Sequence, residues 1–254
     1  MPSGWSLLGC GKGTTGSAGA PDPTLSYTTN LVLQLKPNSF SLNDGDAVGT
    51  WTDSSGAGNN VTQATTSKKP IFKTNILNGQ SVVRFSAASV QGLQAASQVI
   101  DTTKKLSIFI VARQTSVADH ALVTTVGMFN GDSFRFKNSA GTQKIQLYQT
   151  GDVITDPNTG IGANNWAYYT GINRGINGTN GTSTVRVNGT TLATSGSATG
   201  RNLLFDGNLA IGFGADAASN PLDGDIAEVL LYNEEVTGAN LTTVESYLAS
   251  KYGL

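Results

Sequence analysis

The sequence predicts an all-β protein: an antiparallel two-sheet sandwich closed by one C-terminal helix. Short β-branched or aromatic segments recur along the chain, each bounded by Gly, Asn, Asp or Pro. Glycine numbers 31 and charged residues are only 13%, a composition suited to many strands joined by tight turns. The last strand, Ile226 to Tyr232, is apolar on both faces apart from Glu228, and a helical pattern follows it. Burial on both sides fits a strand with one face in a sandwich core and the other under that helix.

Each element follows from its local pattern. Period two begins at Leu31, placing Leu31, Leu33 and Leu35 on one face with Val32 and Gln34 opposite. A turn at Asn43-Asp44-Gly45-Asp46 precedes Val48 to Trp51. Further strands are predicted at Ser81 to Phe85, Leu106 to Arg113, Ala121 to Phe129, Ser133 to Lys137, Lys144 to Gln149 and Asn165 to Ile172. The later ones are Thr184 to Asn188, Leu192 to Thr194, Leu209 to Phe213 and Ile226 to Tyr232. Asn188-Gly189, between two such runs, is a two-residue hairpin signal. With no helix between strands, parallel crossovers are excluded and the pairing is antiparallel. Thr237 is placed to cap the helix. Leu241, Val244, Leu248 and Tyr252 recur at helical spacing before Gly253 ends it.

Two domains of unequal kind are expected. Residues 1–24 are rich in Gly, Ser, Thr, Pro and Ala and form an extended arm, whereas residues 25–254 form the sandwich. Trp5, Leu7 and Leu8 are apolar anchors that a purely solvated tail does not need, so the arm is expected to dock on a partner chain. The first ten residues lack a basic stretch and a long apolar run, so no cleaved leader is expected there. No segment is apolar for long enough to span a membrane as a helix. Lys and Arg number 16 against 17 Asp and Glu, so no basic field exists to collect a nucleic acid.

The chemistry-bearing residues are sparse. One cysteine, Cys10, permits no internal disulfide, and one histidine, His120, sits in a turn feeding a strand. Structural zinc lacks ligands, and neither a nucleophile elbow nor a phosphate-cradling glycine loop is present. No cofactor is expected. Calcium has weak candidates in Asp216, Asn220 and Asp223, with a second set in Asp152, Asp156 and Asn158, although Asp and Asn also sit in such loops to make turns. A sugar needs an aromatic face with planar amides, and Trp166, Tyr168 and Asn164 are the glycan candidates, with Tyr169 and Asn165 beside them. Trp51, Phe85, Phe109 and Phe213 are expected to pack in the core. The Asn-x-Thr/Ser sites at Asn60, Asn177, Asn180, Asn188 and Asn240 are read as turn composition.

Several segments, in order, resemble the laminin-G-like branch of the concanavalin A-like lectin/glucanase jelly rolls. They are Trp51 to Asn60 with Gln63 and Pro70, Asn78 to Phe85, Leu106 to Arg113, Val185 to Gly189, Leu209 to Gly212, and the closing strand with its helix. The resemblance covers about Leu31 to Leu254 and implies a module that binds glycans or proteins on a loop face, sometimes with calcium. Glucanases of that superfamily carry Glu-x-Asp-x-x-Glu on one strand. Here Asp223-Gly224-Asp225-Ile226-Ala227-Glu228 has the spacing with Asp first. On an unbulged strand Glu228 points away from Asp223 and Asp225, which weighs against catalysis. Similar modules occur in tailed-phage virion and bacterial surface proteins. The leading expectation is therefore a non-enzymatic virion accessory protein, a homo-oligomer displayed on the virion surface. Residues 1–24 would grip other virion proteins, and the jelly roll would decorate the capsid or bind a surface glycan. The alternative is a free or cell-surface carbohydrate-binding module, extracellular or on a bacterial surface, and the third is a degenerate β-glucanase.

Overall fold

The computed structural model describes residues 23–126, 133–149, 152–155, 157–176, 179, 181–194, 207–214 and 216–254. Trp5, Leu7 and Leu8 lie outside these residues. The described strands are β1 (Leu31–Leu35), β2 (Thr50–Trp51), β3 (Val61–Thr62), β4 (Ile71–Leu77), β5 (Gln80–Phe85) and β6 (Leu93–Gln98). They continue with β7 (Leu106–Gln114), β8 (His120–Val126), β9 (Ser133–Ser139), β10 (Thr142–Gln149) and β11 (Asp152–Thr155). The last are β12 (Ala167–Asn173), β13 (Ser183–Val187), β14 (Thr190–Thr194), β15 (Asn208–Ile211) and β16 (Gly224–Tyr232), before helix α1 (Gly238–Tyr252).

Two eight-stranded antiparallel sheets pack face to face. One runs β14-β13-β12-β7-β16-β5-β4, with β1 also paired to β16; the other runs β11-β10-β9-β8-β15-β6-β3-β2. Their inner faces meet in a core holding Trp51, Phe85, Phe134, Phe136 and Tyr169. Phe136 of one sheet meets Tyr169 of the other edge to face, with ring centroids 5.1 Å apart. Gly92 lets the sheet close over Phe213, since a β-carbon there would stand 1.8 Å from the ring. Trp51, Phe85, Phe109 and Phe213 are all buried, as expected.

The outer face of the first sheet is covered by α1. Ile226, Val229 and Leu231 of β16 point into the inter-sheet core. Ala227, Leu230 and Tyr232 point toward the helix residues Val244, Leu248 and Tyr252. This is the double burial that the apolar run predicts. The helix ends on Gly253 at φ 65°, where a β-carbon would also press on Asn78. Thr237 occupies the N-cap position but its side chain makes no capping hydrogen bond.

Two of the register shifts in the first sheet correct the simple alternation. Register shifts between Leu31 and Leu33 against β16, so Leu33 and Leu35 face the inter-sheet core while Leu31 joins the helix-side cluster. The second lies between Ile226 and Glu228 of β16, opposite β7. Strands β3, β4, β6 and β11 are additional to those the sequence pattern predicts. Residues Gly127 to Phe129, the end of the predicted Ala121 to Phe129 strand, lie outside the described residues.

Candidate functional site

The bulge in β16 decides the fate of the glucanase-like carboxylates. On a regular strand Glu228 would face away from Asp225. The extra residue turns it to the same outer face, reversing the expected orientation. Glu228 is nonetheless fully buried and accepts hydrogen bonds from Gln34 Nε2 at 2.7 Å, Tyr247 OH at 2.9 Å, Tyr252 OH at 2.8 Å and Lys251 Nζ at 2.9 Å. Asp225, also fully buried, is clamped between two guanidinium groups. Arg84 donates from Nε at 2.7 Å and Nη2 at 3.1 Å, and Arg113 donates from Nε at 2.8 Å. Asp223, half-buried, immediately precedes Gly224, and its carbonyl accepts the Thr115 N–H at 2.8 Å. A general acid must reach a glycosidic oxygen, and neither buried carboxylate reaches solvent.

The same clamp builds a surface feature. Asp225 lies opposite Arg84 on one side and Arg113 on the other, and the β7–β12 register sets Trp166 next in the row. The Arg113 guanidinium carbon lies 5.1 Å from the centroid of the half-buried Trp166 ring. The Arg84 side chain remains 40% exposed. Above this row the chain forms a rim. Asn164, exposed and at φ 68°, donates its N–H to the Gln114 carbonyl at 2.7 Å, and Thr115 bonds Asp223 on the other side of β7. Asn164, Trp166 and Asp223 thus converge on one end of the sandwich.

Tyr168 parts from its predicted companions. It shares the outer face with Trp166, and both pack against the helix-side cluster, but Tyr168 is only 6% exposed whereas Trp166 is half-buried. Burial and the nearby Glu245 carboxylate raise the pKa of its hydroxyl. Tyr169 points the other way, into the inter-sheet core. Sequence reasoning missed Arg84, Arg113 and Asp225 as a unit. Each is a single charged residue within or beside an apolar run, and only the pairing of β5, β16 and β7 aligns them.

The calcium candidates serve turns. The Asp216 carboxylate accepts the N–H groups of Ser219 at 2.5 Å and Ala218 at 2.9 Å, and these bonds lower its pKa. Asn220 adopts φ 46° and its carbonyl accepts from Ala121 at 2.8 Å. Among the described residues no three His, Cys, Asp or Glu side chains gather as a metal site. Of the second set, Asn158 Oδ1 accepts from Gly160 at 2.9 Å. Asp156 and the side chain of Asp152 lie outside the described residues. His120 is a loop pin. Its Nδ1 lies 2.7 Å from the Pro221 carbonyl, which can only accept, so Nδ1 carries a proton, and Nε2 lies 3.1 Å from the Ser116 hydroxyl. Asn188 serves its hairpin, adopting φ 46° while its Oδ1 accepts the Tyr168 N–H at 3.0 Å.

No family model and no curated protein matches the chain. Solved structures match its shape. Domain 4 of AbnA, a GH43 extracellular arabinanase from Geobacillus stearothermophilus in complex with arabinotriose, gives a TM-score of 0.59 at 14% identity. That match covers 88% of this chain and 98% of the domain. A GH54 α-L-arabinofuranosidase also gives 0.59 at 14% identity, over 89% of this chain and 60% of the enzyme. The botulinum neurotoxin serotype D binding domain gives 0.56 at 12%, over 86% and 51%. The chain therefore spans nearly all of the first of these structures and 60% or less of the other two. At such identities the likeness shows the fold alone, a β-sandwich.

Proposed function

We propose that this domain is a non-catalytic glycan-binding module acting outside a cell or at a cell surface, with its ligand seated on the rim at Asn164 and Trp166. The carrying observation is the row Arg84, Asp225, Arg113 and Trp166. It sets a half-buried indole beside two guanidinium groups fixed by one buried carboxylate. Each guanidinium carries five donors, more than Asp225 engages, so N–H groups remain for sugar hydroxyls. The Arg113 contact holds the indole in place before a ligand arrives, which reduces the ordering cost of binding. The exposed Asn164 amide adds a planar donor and acceptor. An arabinotriose complex of a domain with this fold supports the same class of ligand. Asp225 and Glu228, two of the three carboxylates of the glucanase-like segment, are engaged in buried pairs, which supports binding without hydrolysis.

The test is a glycan array with the full chain, followed by calorimetry on the best ligand. Trp166→Ala is expected to weaken binding about tenfold or more. Binding unchanged in that variant, or no ligand on the array, would overturn the reading. The virion role rests on the sequence of residues 1–24, chiefly Trp5, Leu7 and Leu8, and the likenesses in shape favour the glycan module over it. If the arm grips a particle, deleting residues 1–24 abolishes incorporation and leaves a soluble domain; incorporation that survives the deletion ends that reading.

A further inference from the structure

At the end of the sandwich opposite the Trp166 rim, four chain segments meet around a cavity of about 360 Å³. Asn30 comes from the turn before β1, Lys104 from the turn before β7, Ile176 from beyond β12, and Asn233 and Glu234 from the turn after β16. The polar side chains are held in place by neighbours. Glu234 accepts the Tyr27 hydroxyl at 2.6 Å and the Asn30 amide at 3.0 Å. Asn233 Oδ1 accepts the Asp101 N–H at 3.1 Å, and the Asn233 N–H donates to the Asn30 carbonyl at 2.9 Å. Lys105, also lining the cavity, is tied to Glu235 at 2.8 Å.

Each group keeps unused capacity. A carboxylate oxygen has two lone pairs, and a side-chain amide has two hydrogens. Glu234 can therefore accept further hydroxyl protons, and Asn30 can donate once more. The Asn233 amide nitrogen and the exposed Lys104 ammonium make no hydrogen bond among the described residues and add donors. Charges lining the cavity balance, Lys104 and Lys105 against Glu234 and Glu235, so nothing there selects an ion. Ile176 supplies one apolar wall. The volume lies at the low end of ligand pockets, roughly 300 to 1,000 Å³, and suits one sugar ring better than a chain.

We infer that this cavity is a second saccharide site, taking one uncharged sugar unit by adjacent hydroxyls. One hydroxyl donates to the Glu234 carboxylate, and its neighbour accepts from the Asn30 or Asn233 amide. The ring's C–H face rests on Ile176. This site shares no residue with the Trp166 rim and stands whether or not the rim binds.

The test is an NMR titration of the ¹⁵N-labelled full chain with L-arabinose, D-galactose and D-glucose, and with D-glucuronate as the charged comparison. At least one neutral sugar is expected to shift the amides of Lys104, Ile176, Asn233 and Glu234 saturably, and to do so more strongly than glucuronate. Lys104→Ala and Glu234→Gln are each expected to weaken that binding about tenfold. Lys104 is exposed, so its substitution reads out recognition even if Glu234→Gln loosens Tyr27. No saturable shift at these amides with any neutral sugar, or stronger binding of glucuronate, overturns the assignment. Unchanged affinity in both variants does so too.

Discussion

Replacing Glu228 by glutamine tests whether that carboxylate holds the fold or performs chemistry. The change keeps shape and removes charge. Four donors converge on Glu228, and one of them, Lys251 Nζ, belongs to a side chain only 3% exposed. Without the carboxylate the buried ammonium loses its ion pair and keeps the Tyr247 hydroxyl at 3.1 Å and the faces of the Tyr247 and Tyr252 rings. Breaking a buried pair in this way costs about 3–5 kcal/mol. For a domain of this size each kcal/mol lowers the melting temperature by roughly 2–4 °C, so a fall on the order of 10 °C is expected. Differential scanning calorimetry of wild type and Glu228→Gln measures it. The double variant Glu228→Leu with Lys251→Met should regain much of the loss, because it removes both charges together. A catalytic carboxylate would behave oppositely, with hydrolysis of a β-glucan lost and the melting temperature kept. A melting temperature within about 2 °C of wild type would refute the structural role.

Two further outcomes follow from the packing and the ionisation of buried groups. Gly92→Ala places a β-carbon on the Phe213 ring, and Phe213, 2% exposed, has no open space to move into. Overpacking of this kind is expected to cost about 1–3 kcal/mol by urea denaturation, and a neutral result would mean the β6 edge is looser than described. Tyr27 is pushed up to about 12 by burial and by its hydrogen bond to the Glu234 carboxylate. A pKa raised on folding contributes stability that is whole below the unfolded value near 10 and is lost as pH rises toward 12. Phenolate absorbance in wild type and Tyr27→Phe should therefore differ by a group titrating near 12; a difference centred near 10 would contradict the contact.

The legible parts of this fold were those written locally. Asn188-Gly189 announced its hairpin because two successive residues at positive φ suit few other pairs. The unbroken apolar run of β16 announced burial on both faces, and Gly253 announced the end of α1. Strand β3 is two residues long and owes its conformation to pairing with β6, so it carried no pattern of its own. The Trp166 rim was half legible. Asn164 and Trp166 stood out as residue types, but the guanidinium clamp beside them joins Arg84 to Asp225 across 141 residues.

The sequence alone determined the class of the protein: its alternation, its turns and its closing helix are set by forces within a few residues of chain. Tertiary structure alone decided what its charged groups do. A one-residue bulge chose the face of Glu228, and strand register paired Asp225 with two arginines. Folding brought segments distant in sequence together around the open cavity beside Glu234. Side-chain direction and ion pairing depend on which strands lie side by side, and that is fixed only when the sheets close.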